Sequence, residues 1–218
     1  MEYNVKDFPA HLTLVGEMNG QKAYAAAGRE VRAYPPFVTA PQTVAGSGEL
    51  RIASSFVDVV VFPELFVVVG SDVQRGQGCT ECILGFGISL AMREKSMIRR
   101  AGAKGGTPRD IACCTWYQMQ ANGTHVIGDV LVEKLDIDKC KMTLGVDGKE
   151  KTFDMADMIW TPDNFFKEMS QLVRFKRNDM VFLGPVDEPM SLDSVTNDTV
   201  ITVTSNCFDD LEVAVKFE

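Results

Sequence analysis

Residues 57–70, VDVVVFPELFVVVG, restrict the fold of this chain more than any other stretch. Valine crowds two short runs, and β-branched side chains suit the pleated surface of a strand better than the turn of a helix. The pattern predicts two strands joined at Phe62-Pro63 and closed at Gly70. Glu64 is the one charged residue between Val59 and Val69. A carboxyl set among apolar strands is a candidate acid or base.

A capped helix running into a buried strand is predicted over 157–185. Thr161 suits the N-cap, Pro162 the first helical position where no N–H is needed, and Asp163 the positive end of the helix dipole. Phe165, Phe166, Met169, Leu172 and Val173 then recur at helical spacing and form one apolar face. Arg174, Lys176 and Arg177 crowd the negative end, Asn178-Asp179 turns the chain, and Met180–Leu183 is a short apolar strand ended by Gly184-Pro185.

Strands are expected at Ile111–Met119 and His125–Glu133, on either side of the turn Ala121-Asn122-Gly123, and a short helical turn over Thr80–Leu84. Met142–Val146 and Lys151–Phe153 read as a hairpin, because Asp147-Gly148 supplies the positive φ angles of a tight turn. Val200–Thr204 and Leu211–Phe217 are the last strands. The expected class is α+β, mostly β, with few short helices in a single domain spanning 1–218.

A net charge of −8 and a pI near 4.9 argue against a nucleic-acid or anionic-membrane partner, since phosphate binding needs basic surface. No apolar run approaches the ~18 residues of a membrane span, and a cytoplasmic location is expected. Six cysteines are present, Cys79 and Cys82 among them as a CxxC. Ordinary reduced cysteines are the expectation, with a structural zinc the lesser alternative because a closed site needs two more ligands.

Several of these segments together resemble the fumarylacetoacetate hydrolase family. Asp157-Met158-Ile159-Trp160, Ser170, Asn178-Asp179 and Leu183-Gly184-Pro185 stand where that family has a D-M-I-F loop, a helix ending near a serine, a Gly-Asp turn and a T-G-T-P loop. Phe37, Pro41 and Gly46-Ser47-Gly48 match its loop segments. The resemblance implies a mixed β-roll or sandwich with few short helices, a homodimer, and a small-molecule substrate.

The resemblance also implies a site, and the residues differ there. The family's E-x-E, whose glutamates bind a divalent metal, reads Phe62-Pro63-Glu64 here. Its aspartate some thirty residues later falls on Ala91, or on Ser89 if the register slips. The family's His/Glu dyad falls on Ala23 and Ala26. Glu64 is thus the only matching metal-ligand position, so the metal site is degenerate and no cofactor is expected, with Mg²⁺ or Mn²⁺ the minor alternative. Glu64 is the catalytic candidate, Phe62 an apolar substrate-binding candidate, and Arg93 or Lys95 a cation for a substrate carboxylate. His11 and His125 are read as structural histidines.

Three functions compete. One is an enzyme acting on a small 2-oxo or 1,3-dicarbonyl compound by C–C hydrolysis, decarboxylation or tautomerisation, as hydrolases, lyases and isomerases of the family do. Another is a metal-independent isomerase or cyclase that reuses the pocket. The third is a non-catalytic scaffold. Fold alone does not decide among them.

Overall fold

The computed structural model describes residues 2–4, 13–15, 28, 37–39, 43–46, 48–78, 81–107, 110, 113, 123–192, 196–197 and 199–217, and the account below is of these. Their strands are β1 (Glu2–Asn4), β2 (Thr13–Val15), β3 (Phe37–Thr39), β4 (Val44–Ala45), β5 (Gly48–Ile52), β6 (Val59–Val69), β7 (Ile83–Glu94), β8 (His125–Ile127), β9 (Val130–Val132), β10 (Lys141–Val146), β11 (Lys149–Asp154), β12 (Met180–Phe182), β13 (Met190–Ser191), β14 (Val200–Ser205) and β15 (Leu211–Phe217). The α-helices whose bounds lie within the described residues are α1 (Ser96–Ala103) and α2 (Pro162–Met169), with short 3₁₀ turns at Ile137–Lys139 and Met155–Asp157.

The valine-rich stretch forms one strand of 11 residues, buried throughout, instead of two strands joined at Phe62-Pro63. Pro63 is tolerated for a geometric reason. The odd-numbered backbone groups of β6 face β12 and β13, as the bonds Leu183 N–H to Leu65 O and Leu192 N–H to Val59 O show. β13 pairs only with Val60 and Val61, and β12 only with Phe66–Val68. The missing N–H of Pro63 therefore falls in the gap between two short partners, where no ladder bond is asked of it.

β6 pairs antiparallel with β7 along its whole length. They are the centre of a ten-stranded sheet in the order β1-β9-β7-β6-β12-β2-β3, with β13, β4 and β8 attached. A second sheet of five strands runs β11-β10-β14-β15-β5. Its hairpin turn is the expected one, Asp147 and Gly148 having φ of 49° and 72°. Because side chains alternate along a strand, Val61, Leu65, Val67 and Val69 of β6 share one face of the large sheet. They join Met142, Leu144, Phe165, Phe166, Val203 and Val213 in one buried core. Phe66, Val68, Ile127, Met180 and Phe182 make a smaller cluster.

α2 is capped as its sequence predicts: Thr161 Oγ1 accepts from Asn164 N–H and Pro162 opens the helix. It ends sooner than its apolar spacing suggests, at Met169, and Leu172 lies outside it with 64% of its surface exposed. Val173 packs against the core from the following loop. Three other sequence expectations are also corrected. Cys113, inside the stretch expected as a strand at 111–119, is helical, as is Asp110; 111–112 and 114–119 lie outside the described residues. The strand expected at 125–133 is interrupted at Gly128-Asp129 into β8 and β9. Glu81 and Cys82 form a turn without helix before β7 begins at Ile83, and Thr80 is outside the described residues.

Gly87 is where β7 must lack a side chain. A Cβ there would stand 2.3 Å from Phe66 Cζ and 3.0 Å from Leu131 Cδ2, both in buried side chains. Gly87→Ala should lower stability by about 1–3 kcal/mol, since an overpacked ring must leave its rotamer. Urea denaturation measures it, and an unchanged midpoint would show that Phe66 has room to move.

Candidate active site

The cross-strand register of the large sheet brings Phe62, Glu64 and Arg93 together on one face. Phe62 lies opposite Ala91, Glu64 opposite Ser89 and Val60 opposite Arg93, and across β7 Ala91 faces His125 while Ser89 faces Ile127. Ser89 and Ala91 are small, so the longer Glu64, Arg93 and His125 side chains converge over them. All three are buried, as is Phe62.

Each has a fixed partner. Glu64 Oε2 accepts from Gly184 N–H at 2.9 Å, which ties β6 to the Gly184-Pro185 loop. Arg93 Nη1 donates to Met92 O at 2.7 Å, and its guanidinium carbon stands 5.2 Å from the centre of the Phe62 ring. A cation over an aromatic face is held by the ring quadrupole as well as by packing. The His125 ring packs tilted against Phe182, centroids 4.5 Å apart, and contacts Thr124 Oγ1 through Nδ1 at 3.2 Å. The Ser89 hydroxyl, buried beside Glu64, has no hydrogen-bond partner among the described residues.

His125 Nε2 lies near both other groups, 3.4 Å from Arg93 Nη2 and 3.5 Å from Glu64 Oε1. Burial, and then the Arg93 charge, hold its imidazole well below the usual histidine range. The ring is neutral at pH 7, so its approach to Glu64 is not an ion pair. A guanidinium only donates, which makes Nε2 the acceptor and puts the imidazole proton on Nδ1, towards Thr124. The result is a carboxyl and a guanidinium on either side of a neutral imidazole. Sequence reading assigned His125 a structural role, because no spacing relates residue 125 to residues 64 and 93; only strand pairing does.

Lys95 does not join this group. It borders a cleft of about 360 Å³ with Asp58, Arg99, Glu188 and Ser191, whose lining includes neither Glu64 nor Arg93. The positions expected to replace the histidine dyad, Ala23 and Ala26, lie outside the described residues, as do His11 and Cys79. Cys82 is buried and free. Burial and the nearby Cys207 push the Cys140 thiol up to about 12, which leaves it an inert core thiol at neutral pH.

A divalent metal does not suit this donor set. Hard cations take several oxygen ligands, and on this face Phe62 and Ala91 offer none beside Glu64. Among the described residues no three His, Cys, Asp or Glu side chains gather to hold an ion.

The model of the fumarylacetoacetate (FAA) hydrolase C-terminal family matches residues 6–204. The chain belongs to the fumarylacetoacetate hydrolase family. No curated protein matches it. Among solved structures, a fumarylacetoacetate hydrolase family protein from Yersinia pestis CO92 superimposes with a TM-score of 0.78 at 15% identity, covering 96% of this chain and 95% of that one. Fumarylpyruvate hydrolase from Pseudomonas aeruginosa, in complex with Mn²⁺ and pyruvate, gives 0.74 at 18% identity over 97% and 91%. The 5-carboxymethyl-2-hydroxymuconate delta-isomerase from Mycobacterium smegmatis gives 0.75 at 14% identity over 97% and 80%. At these identities the likeness is one of fold, and it agrees with the mostly β architecture expected of the family. Among the described residues no helix is long and apolar enough to cross a membrane.

Proposed function

We propose that this member of the family is an enzyme acting on a small 2-oxo or 1,3-dicarbonyl compound through an enolate, with no need of a divalent metal. Tautomerisation, decarboxylation and C–C cleavage of such compounds share that intermediate, and each requires a cation for the developing oxyanion and a group to move a proton. Arg93 is the cation, Glu64 the proton-moving group, and Phe62 the apolar wall that holds the guanidinium in place. His125 positions Arg93 by accepting from its guanidinium at Nε2. The observation that supports this reading is the gathering of three buried ionisable side chains on one sheet face, with His125 Nε2 3.4 Å from Arg93 Nη2 and 3.5 Å from Glu64 Oε1. Such clusters are costly to a fold and concentrate at functional sites.

The test is turnover of oxaloacetate and of acylpyruvates, in the presence of a chelator, by the wild-type chain and two variants. Glu64→Gln should lower kcat by about 100-fold or more. Arg93→Met should lower kcat by about 100-fold and also raise KM, as loss of an oxyanion donor does. Full activity in Glu64→Gln would sink the assignment.

One observation favours a different reading, in which the chain keeps the scaffold and has lost the chemistry. Phe62 is 1% exposed and Arg93 7%, so the site is filled by the protein's own side chains. Inertness of the wild-type chain towards all the substrates, with Glu64→Gln and Arg93→Met changing stability alone, would establish that reading.

A further inference from the structure

We infer that the guanidinium of Arg93 takes, in this chain, the electrostatic place that a divalent ion holds in a relative such as the Mn²⁺-bound hydrolase, and that the two occupants exclude each other. This rests on the same reading of the sheet face as the proposed function. Its starting point is the disagreement between a fold whose relative was solved with Mn²⁺ and a chain that brings one carboxylate to the expected ligand positions.

The substitutions at this face are mutually consistent. Phe62 removes a carboxylate and at the same time supplies the aromatic face over which Arg93 lies, at 5.2 Å. Ala91 removes a second candidate carboxylate and leaves the space in which His125, its cross-strand neighbour, reaches towards Arg93 and Glu64. Arg93 sits two residues after Ala91 on the same strand and so on the same face. Two negative charges are absent and one fixed positive charge is present. A single glutamate and a single cation then share the face, with a neutral imidazole beside both that accepts from the arginine, in a region where an unmatched charge would be strongly disfavoured.

A guanidinium differs from a metal ion in ways that bear on function. It carries one charge rather than two, always protonated, and presents planar donors suited to a carboxylate or to the two oxygens of an enolised 2-oxo acid. It is covalently part of β7, so the charge is present without any ion in solution and is insensitive to chelators. A site of this kind selects planar anionic oxygen pairs.

Restoring the family's carboxylates tests the exclusion. The measurement is Mn²⁺ binding by electron paramagnetic resonance and calorimetry, on the full chain without substrate, for wild type, for Phe62→Glu/Ala91→Asp, and for the same pair combined with Arg93→Met. Wild type should bind no Mn²⁺ at millimolar concentration. The double variant should remain weak, because Arg93 would pair with the new carboxylates and repel the ion. Removing the arginine charge from it should tighten binding by about 100-fold or more, to one ion per chain.

Two results would overturn the inference. One is stoichiometric Mn²⁺ binding by wild type that Glu64→Gln abolishes. The other is equal affinity in the double and triple variants, which would show that Arg93 does not stand in the ion's place. If circular dichroism shows the triple variant unfolded, the double variant decides alone: tight binding with Arg93 present overturns the inference, and none below millimolar upholds it. Ion binding is read without substrate, so a chain inert towards every 2-oxo acid that still ignores Mn²⁺ would lose the proposed activity and keep the guanidinium in the ion's place.

Discussion

Replacing Phe166 by alanine should destabilise the chain by about 3–5 kcal/mol, a large share of the stability of an ordinary domain. Phe166 is completely buried at the middle of α2, and its ring packs on Phe175 at 4.7 Å and edge-on to Phe165 at 5.6 Å. The three rings lock the helix and the loop after it onto the core shared by both sheets. Truncation removes transfer free energy, aromatic contacts and packing around the hole at once. For a chain of this length, the melting temperature should fall by roughly 6–20 °C. Phe166→Leu keeps most of the volume and should cost markedly less. Equal losses in the two variants would mean that the core collapses around the missing ring and that packing here is not specific.

Acid should weaken the fold before most carboxylates titrate, and His125 should be the cause. Its native pKa lies well below the usual value of 6.5, with burial the first reason and Arg93 the second. The groups facing it are Glu64 on β6, Arg93 on β7, Thr124 beside it and the Phe182 ring on β12. A depressed native pKa means that, below pH 6.5, the unfolded chain takes up a proton the native chain refuses. Stability from this source is therefore complete above pH 6.5 and is lost as pH falls from there towards the native pKa. Between pH 7.5 and 5.5 the loss should reach about 1.4 kcal/mol, one proton's worth per pH unit. His125→Gln cannot titrate and should flatten that part of the profile, whatever it does to the absolute stability. An unchanged slope in the variant would move the effect away from the buried cluster. Urea midpoints at a series of pH values measure the slope.

Local rules were legible wherever one stretch of chain carried the whole signal. The cap at Thr161-Pro162 and the Asp147-Gly148 turn each depend on the residues that form them and appear at their expected places, and the valine run is extended as expected but forms one strand where two were expected. The misreadings arose where a neighbour decided the outcome. Pro63 reads as a break, yet it lies within a strand because β12 and β13 leave a gap beside it. Leu172 continues a helical spacing, yet the helix has already ended and the side chain is exposed.

The candidate site divides in the same way. The family and the mostly β class were readable from the chain alone, and the resemblance led to the expectation that Glu64 is the one matching carboxylate, with Phe62 and either Ala91 or Ser89 where the others would stand. Whether Glu64 is solitary was decided only by tertiary structure. His125 is brought opposite Ala91 by the pairing of β8 with β7, Arg93 is turned onto the same face by the alternation of β7, and Lys95, two residues further on, belongs to another cleft. Strand alternation is local and can be read along the chain. The register between strands is set by packing across the whole sheet, and it decides which charges share a buried face.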